Sequence, residues 1–333
     1  GKLVFQADLP HGKYYIQEVE HKPGYLPNDE VYSFDASYTD QTLELLAFSE
    51  EISNQPTITE FTKVDLTGGQ EIEGAKMQIL DQDGKVVEEW VSKKEPHVVY
   101  ALEPGEYVLH EEQAPTEQGY VRAEDVKFVV EETGDVQKVK MEDDHTKVSI
   151  SKTDITDGKE IEGAKLQILD QDGEVVESWT TGEEHLIEYL PVGTYTLHEE
   201  AAVDGYIVAN DVEFTVEETG EIQKVKMEDE RAMGQLVIVK TDTDSKAALE
   251  GVEFVLLEKE TGKEVGRLKT GKDGKAVSEL LPIGTYENGV FKEPITYVLK
   301  ETATLKGYEK TEEEWEIVFT YQNDKTPVIE VVK

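Results

Sequence analysis

Tyr297-Val298-Leu299-Lys300-Glu301 is a short alternating run that ends in a carboxylate. The same run occurs as Tyr14-Tyr15-Ile16-Gln17-Glu18, Tyr107-Val108-Leu109-His110-Glu111 and Tyr195-Thr196-Leu197-His198-Glu199. Alternate side chains of a β-strand share one face, so the tyrosine, the leucine or isoleucine and the glutamate of each copy point together, toward a core. A lone buried charge is costly, so each inward carboxylate needs either a partner or a proton.

The surroundings of the run repeat as well. A turn with Leu, Pro and Gly precedes it at Leu9-Pro10-His11-Gly12, Leu102-Glu103-Pro104-Gly105, Leu190-Pro191-Val192-Gly193 and Leu281-Pro282-Ile283-Gly284. A Gly-Tyr pair follows it at Gly24-Tyr25, Gly119-Tyr120, Gly205-Tyr206 and Gly307-Tyr308. Upstream, GAKMQILDQDG from Gly74 returns as GAKLQILDQDG from Gly163, with a divergent copy from Gly251. Helical periodicity is absent, while short alternating runs bounded by Gly, Asp and Pro are everywhere. The fold class is all-β, and about seven strands per repeat imply tandem two-sheet sandwiches. The repeats predict complete domains over 57–144, 145–231 and 232–327, the second half of a repeat over 1–56, and the first strand of a following domain over 328–333.

Composition narrows the function. The chain has 333 residues, with 73 Asp and Glu against 33 Lys and Arg, for a formal net charge of -40. Nucleic acid and anionic membrane are poor partners for that charge. The acids alternate with Val, Ile, Leu and Tyr, as outward strand positions do, so the chain reads as folded. There is no cysteine, which excludes disulfides, thiolate metal sites and a cysteine nucleophile. No apolar run approaches a membrane span. The chain opens on Gly1 without a methionine and closes on a strand-like run to Lys333, so both ends read as cuts in something longer.

The first strand of each complete repeat offers the glutamate a partner. Lys152 shares a face with Val148 and Ile150, Lys240 with Leu236 and Ile238, and Lys63 with Phe61. The last strand adds a third inward polar group: Asp143 after Val139 and Met141, Asp229 after Val225 and Met227, and Asn323 after Phe319 and Tyr321. One such set is an ordinary buried ion pair. Three in matching places point further, because burial favours the neutral amine and the neutral acid, a nucleophile and an electrophile. A protonated glutamate beside them can hydrogen-bond the carbonyl oxygen and carry the leaving proton, which makes an amide bond the alternative to the ion pair.

Lys at the end of the first strand, the Tyr-x-Leu-x-Glu run followed by Gly-Tyr, and Asp or Asn at the end of the last strand resemble the collagen-adhesin B-type (SpaA-like, prealbumin-like) domains of Gram-positive pilins and adhesins. The resemblance covers essentially the whole chain and implies immunoglobulin-like β-sandwiches with self-formed isopeptide bonds. The implied bonds are Lys63 to Asp143 assisted by Glu111, Lys152 to Asp229 assisted by Glu199, and Lys240 to Asn323 assisted by Glu301. The N-terminal half-repeat keeps Glu18 and Asn54 of an incomplete set, and Lys333 stands where a following domain's lysine is expected. Either the chain is a window of a longer array, or Lys333 of one copy meets Asn54 of another.

Other motifs read as structure. Asp81-Gln82-Asp83-Gly84 and Asp170-Gln171-Asp172-Gly173 are hairpin turns without the further ligands of a calcium loop. His110 and His198 face outward, and Trp90, Trp179 and Trp315 belong to the core or between the sheets. No metal site, cofactor site or turnover constellation stands out. The expected function is a structural stalk segment of an extracellular, cell-wall-attached adhesin or pilin, with neighbouring domains of the same polypeptide as partners and no enzyme activity beyond a single self-reaction. The alternative is a module that binds a host extracellular-matrix protein or glycan. Its best contact is the insertion Glu287-Asn288-Gly289-Val290-Phe291-Lys292-Glu293-Pro294.

Overall fold

A computed structural model of the chain describes residues 2–37 and 46–333. They fall into two compact units, Gly1–His145 and Thr146–Lys333. The first unit opens on an antiparallel pair, β1 (Lys13–Gln17) and β2 (Val31–Asp35). Its complete domain runs through β3 (Ile58–Asp65), β4 (Lys76–Leu80), β5 (Val86–Val91), β6 (His97–Tyr100), β7 (Gly105–Gln113), β8 (Tyr120–Val121), β9 (Val126–Val130) and β10 (Val136–His145). Two four-stranded sheets result, ordered β6-β3-β10-β8 and β5-β4-β7-β9. The first and last strands, β3 and β10, lie parallel side by side, with Lys63 opposite Met141 and Asp65 opposite Asp143.

The second unit repeats this plan. Its first domain comprises β11 (Lys147–Asp154), β12 (Lys165–Leu169), β13 (Val175–Thr180), β14 (His185–Glu188), β15 (Gly193–Ala201), β16 (Tyr206–Ile207), β17 (Val212–Val216) and β18 (Ile222–Arg231). The sheets are β14-β11-β18-β16 and β13-β12-β15-β17, and the parallel pair β11–β18 sets Lys152 opposite Met227. Its second domain comprises β19 (Met233–Val239), β20 (Glu253–Glu258), β21 (Glu264–Lys269), β22 (Lys275–Val277), β23 (Leu281–Pro282), β24 (Gly284–Glu287), β25 (Val290–Pro294), β26 (Thr296–Ala303), β27 (Glu314–Val318) and β28 (Val328–Val332).

Alternation builds each core. In the first complete domain Phe61, Met77, Ile79, Leu109 and Met141 meet between the sheets, and Val148, Leu166, Ile168, Leu197 and Met227 do so in the second. The Asp-Gly turns take the left-handed backbone that glycine allows, with φ of 77° at Gly84 and 80° at Gly173. Asp81 Oδ1 accepts the amides of Asp83 and Lys85, and Asp170 Oδ1 those of Asp172 and Glu174, so both aspartates are taken up by their own turns.

The C-terminal strand corrects the sequence reading. Residues 328–333 are not the opening of a following domain: β28 pairs parallel with β19 of its own domain, from Met233 opposite Val328 to Val237 opposite Val332. Lys333 continues that ladder, its amide donating to Val237 O and its carbonyl accepting from Val239 N, so it is no next-domain lysine. Asn323 lies in the connection from β27 to β28, exposed, where its Oδ1 accepts the Lys325 amide and the Thr326 hydroxyl. The sequence placed Asn323 at the end of the last strand, whereas it lies in the crossover from β27 to β28, the counterpart of the crossover from β17 to β18 over 217–221.

Candidate functional site

Each complete domain holds its lysine and glutamate between the sheets. Lys63 Nζ donates to Glu111 Oε2 at 2.9 Å and contacts Asp143 Oδ1. Lys152 Nζ is 2.9 Å from Glu199 Oε2 and contacts Asp229 Oδ1. All six of these residues are buried, with Glu111, Asp143 and Asp229 fully enclosed. The parallel pairing brings lysine and aspartate together, because each aspartate stands two residues beyond the partner of its lysine and so on the same face. The antiparallel β4–β7 and β12–β15 pairs bring each glutamate in from the opposite sheet.

Burial raises Asp143 from its ordinary 3.8 to about 7, opposed by the Lys63 ammonium and assisted by the Glu111 charge. Asp229 is raised to about 7 for the same first reason, opposed by Lys152. Among the described residues, the second oxygens of both aspartates and of both glutamates, Asp143 Oδ2, Asp229 Oδ2, Glu111 Oε1 and Glu199 Oε1, have no hydrogen-bond partner. Fully ionised carboxylates in such surroundings carry a heavy desolvation penalty. Each site therefore encloses one amine between two carboxyl groups, of which the aspartate is pushed toward its protonated form.

The third site is different. Lys240 Nζ reaches Glu301 Oε2 at 2.9 Å, but the Lys240 side chain is 27% exposed and Asn323 is not with them. Leu236, four residues before Lys240, lies opposite Val331, just as Val148, four before Lys152, lies opposite Gln223. In the half-repeat, Asn54 Nδ2 donates to Glu18 Oε2 at 2.8 Å, so that glutamate and asparagine do meet. The Glu18 carboxyl is held below the usual carboxylate range by the Asn28 amide and the Asn54 side chain.

Two supporting groups escaped the sequence reading. An aspartate two residues after each lysine accepts the hydroxyl of the Gly-Tyr tyrosine: Tyr206 donates to Asp154 at 2.7 Å, and Tyr120 and Tyr308 bond Asp65 and Asp242. The signal was present as Lys-x-Asp in all three domains, but nothing local ties it to a tyrosine more than fifty residues away in the chain. The second group is the backbone amide four residues after the Gly of three of the four Gly-Tyr pairs, which donates to the glutamate from Asn28, Ala123 and Ala209 at 2.9, 2.8 and 2.7 Å.

The outward histidines sit against aspartates, His110 Nδ1 2.7 Å from Asp125 and His198 Nδ1 2.7 Å from Asp211. The insertion is the β24–β25 hairpin, and its Phe291 is half-buried, packed on Tyr286 and against Gly205 of the preceding domain.

The chain matches the SpaA prealbumin-like fold domain over residues 57–145, 146–231 and 234–333. Among solved structures it is similar to the TIE protein of Bacillus anthracis, 25% identical with a TM-score of 0.55, over 92% of this chain and 54% of that one. The chain thus spans about half the length of that relative. It is also similar to BcpA, the major pilin subunit of Bacillus cereus, at 15% identity and a TM-score of 0.46, over 83% of this chain and 98% of that one. The shaft pilin SpaA from Lactobacillus rhamnosus GG follows at 13% identity and a TM-score of 0.27, over 53% of this chain and 96% of that one. No curated protein matches the chain. With three tandem matches over most of its length and two sandwiches that share one topology, first and last strands parallel, the chain belongs to the SpaA prealbumin-like fold domain family.

Proposed function

We propose that the chain is a stalk segment of a Gram-positive surface adhesin or pilin, in which the domains over 57–145 and 146–231 each staple their first strand to their last by a self-formed amide bond. The observation that carries this reading is the buried lysine, glutamate and aspartate set, repeated at matching positions of both domains. Lys63 Nζ, as the neutral amine, attacks the carboxyl carbon of protonated Asp143. Glu111 takes a proton from the nitrogen of the tetrahedral adduct and returns it to the departing hydroxyl. One C–N bond forms, one C–O bond breaks, and water leaves. Lys152, Glu199 and Asp229 do the same. The reaction happens once per domain, so the chain is not a turnover enzyme.

The exposed face fits an extracellular setting without cysteine, because an amide needs no oxidising compartment to persist. In the third domain Lys240 meets Glu301, and Asn323 lies apart from both.

The test is the intact mass of the denatured chain. Each Lys–Asp bond removes one water, about 18 Da, and denaturant does not restore it. The wild-type chain is expected to lack two waters, and Lys63→Ala and Lys152→Ala one each. A wild-type mass equal to that of the unmodified sequence reduces both sets to buried ion pairs.

A further inference from the structure

The segment that follows Gly205 in the second complete domain has two attachments. On one side, Ala209 N donates to Glu199 Oε2, the carboxylate that contacts Lys152. On the other, the following domain holds it. Tyr321 OH donates to Tyr206 O at 2.9 Å, Val208 N donates to Asp324 O at 2.9 Å, and Tyr286 OH donates to Gly205 O at 2.8 Å. Tyr286 also lies under the Arg231 guanidinium, 4.2 Å from its ring centre. Arg231 Nε reaches Asp154 at 2.6 Å, two residues beyond Lys152, and Tyr206 OH donates to that same carboxylate. Residues 205–209 are thus a short bridge whose outer side is fastened by the third domain and whose inner side orients the assisting glutamate.

The third domain supplies the comparison. Its counterpart of Ala209, four residues after Gly307, is Thr311, and Glu301 Oε2 accepts only from Lys240 among the described residues.

Resting on the isopeptide reading, we propose that the third domain completes the bond-forming site of the second: Tyr321 and Tyr286 are positioning residues that hold the 205–209 bridge and, through the Ala209 amide, Glu199. The second domain then reaches its full rate of closure only when the third has folded against it. The chemistry is unchanged; what the following domain contributes is orientation of the proton carrier.

The experiment uses the full chain. Newly made protein is quenched in denaturant at intervals, and peptide mass spectrometry measures both bonds in the same molecules. Tyr321→Phe and Tyr286→Phe each remove one hydroxyl and keep the ring. Each is expected to slow Lys152–Asp229 closure by about tenfold and to leave Lys63–Asp143 closure unchanged. The pH dependence of the Lys152–Asp229 rate should also change in the variants, which mere loosening of the fold would not produce. Equal rates in variants and wild type, or equal slowing of both bonds, overturns the proposal. Absence of both bonds from the wild-type chain overturns the isopeptide reading itself.

Discussion

Lys63 and Lys152 place amines where a sandwich normally puts leucine, and each is tolerable only because two carboxyl groups share its enclosure. A pH test follows from the raised pKa of Asp143. In a Lys63→Met chain no bond can form, and Asp143 remains a buried acid. The folded state then holds its proton to higher pH than the unfolded chain does, so its contribution to stability is complete below about pH 4 and is lost as pH rises through about 7. Removing the Lys63 ammonium, which lowers this pKa, moves the upper limit further up. Denaturant unfolding of Lys63→Met should therefore fall behind Lys63→Met with Asp143→Asn as pH rises from about 5 to about 8. A constant difference between the two would mean that Asp143 is not held neutral. The glutamate and lysine of each site were legible because strand alternation is a local rule. The tyrosine that bonds the Lys-x-Asp aspartate was not, because only the closing of the sheet brings it there.

At the scale of elements, the parallel pairs β3–β10 and β11–β18 do what the proposed chemistry requires: they lay the lysine strand beside the aspartate strand in a fixed register. A slip of one residue would turn every inward side chain outward. The β24–β25 hairpin, read from sequence as an insertion with Phe291 as a candidate ligand contact, instead packs on the preceding domain. Gly205 is where that packing is tightest. Its φ is 89°, and a Cβ there would meet Phe291 Cδ2 at 2.8 Å and the Tyr286 hydroxyl at 2.9 Å. Gly205→Ala is expected to cost about 1–3 kcal/mol from backbone strain alone, with the clash added. Chemical denaturation of the two-domain unit would measure it, and a neutral effect would show that the hairpin yields freely. The error at Asn323 has an element-scale cause: two inward strands separated by a polar turn look alike whether the second closes one domain or opens the next.

For the whole molecule, a staple between first and last strands changes the response to force. The proposed Lys63–Asp143 link would enclose 80 residues of sequence separation and the proposed Lys152–Asp229 link 77. Stretched from its ends, the wild-type chain should give no unfolding step from either domain, because the load passes through the linked strands. Lys63→Ala should release about 270 Å of contour, the extended length of its enclosed loop at roughly 3.4 Å per residue. Single-molecule extension would record it, and a step of that size in the wild-type chain would refute the stapled stalk. By analogy with a crosslink closing a loop of this length, each bond also adds about 4 kcal/mol against unfolding.

Alternation and repetition alone determined that the chain is all-β, that it is built of tandem sandwiches, and that Lys63, Glu111, Asp143, Lys152, Glu199 and Asp229 point inward, because which face a strand residue takes depends only on its parity. Tertiary structure decided which strands are neighbours. It gave β28 to the third domain, took Asn323 out of the site, and joined Tyr206 to Asp154 and Ala209 to Glu199. Those pairings span from ten to nearly a hundred residues, and no local periodicity records them, since they are set by which sheet edges remain open once the core has closed.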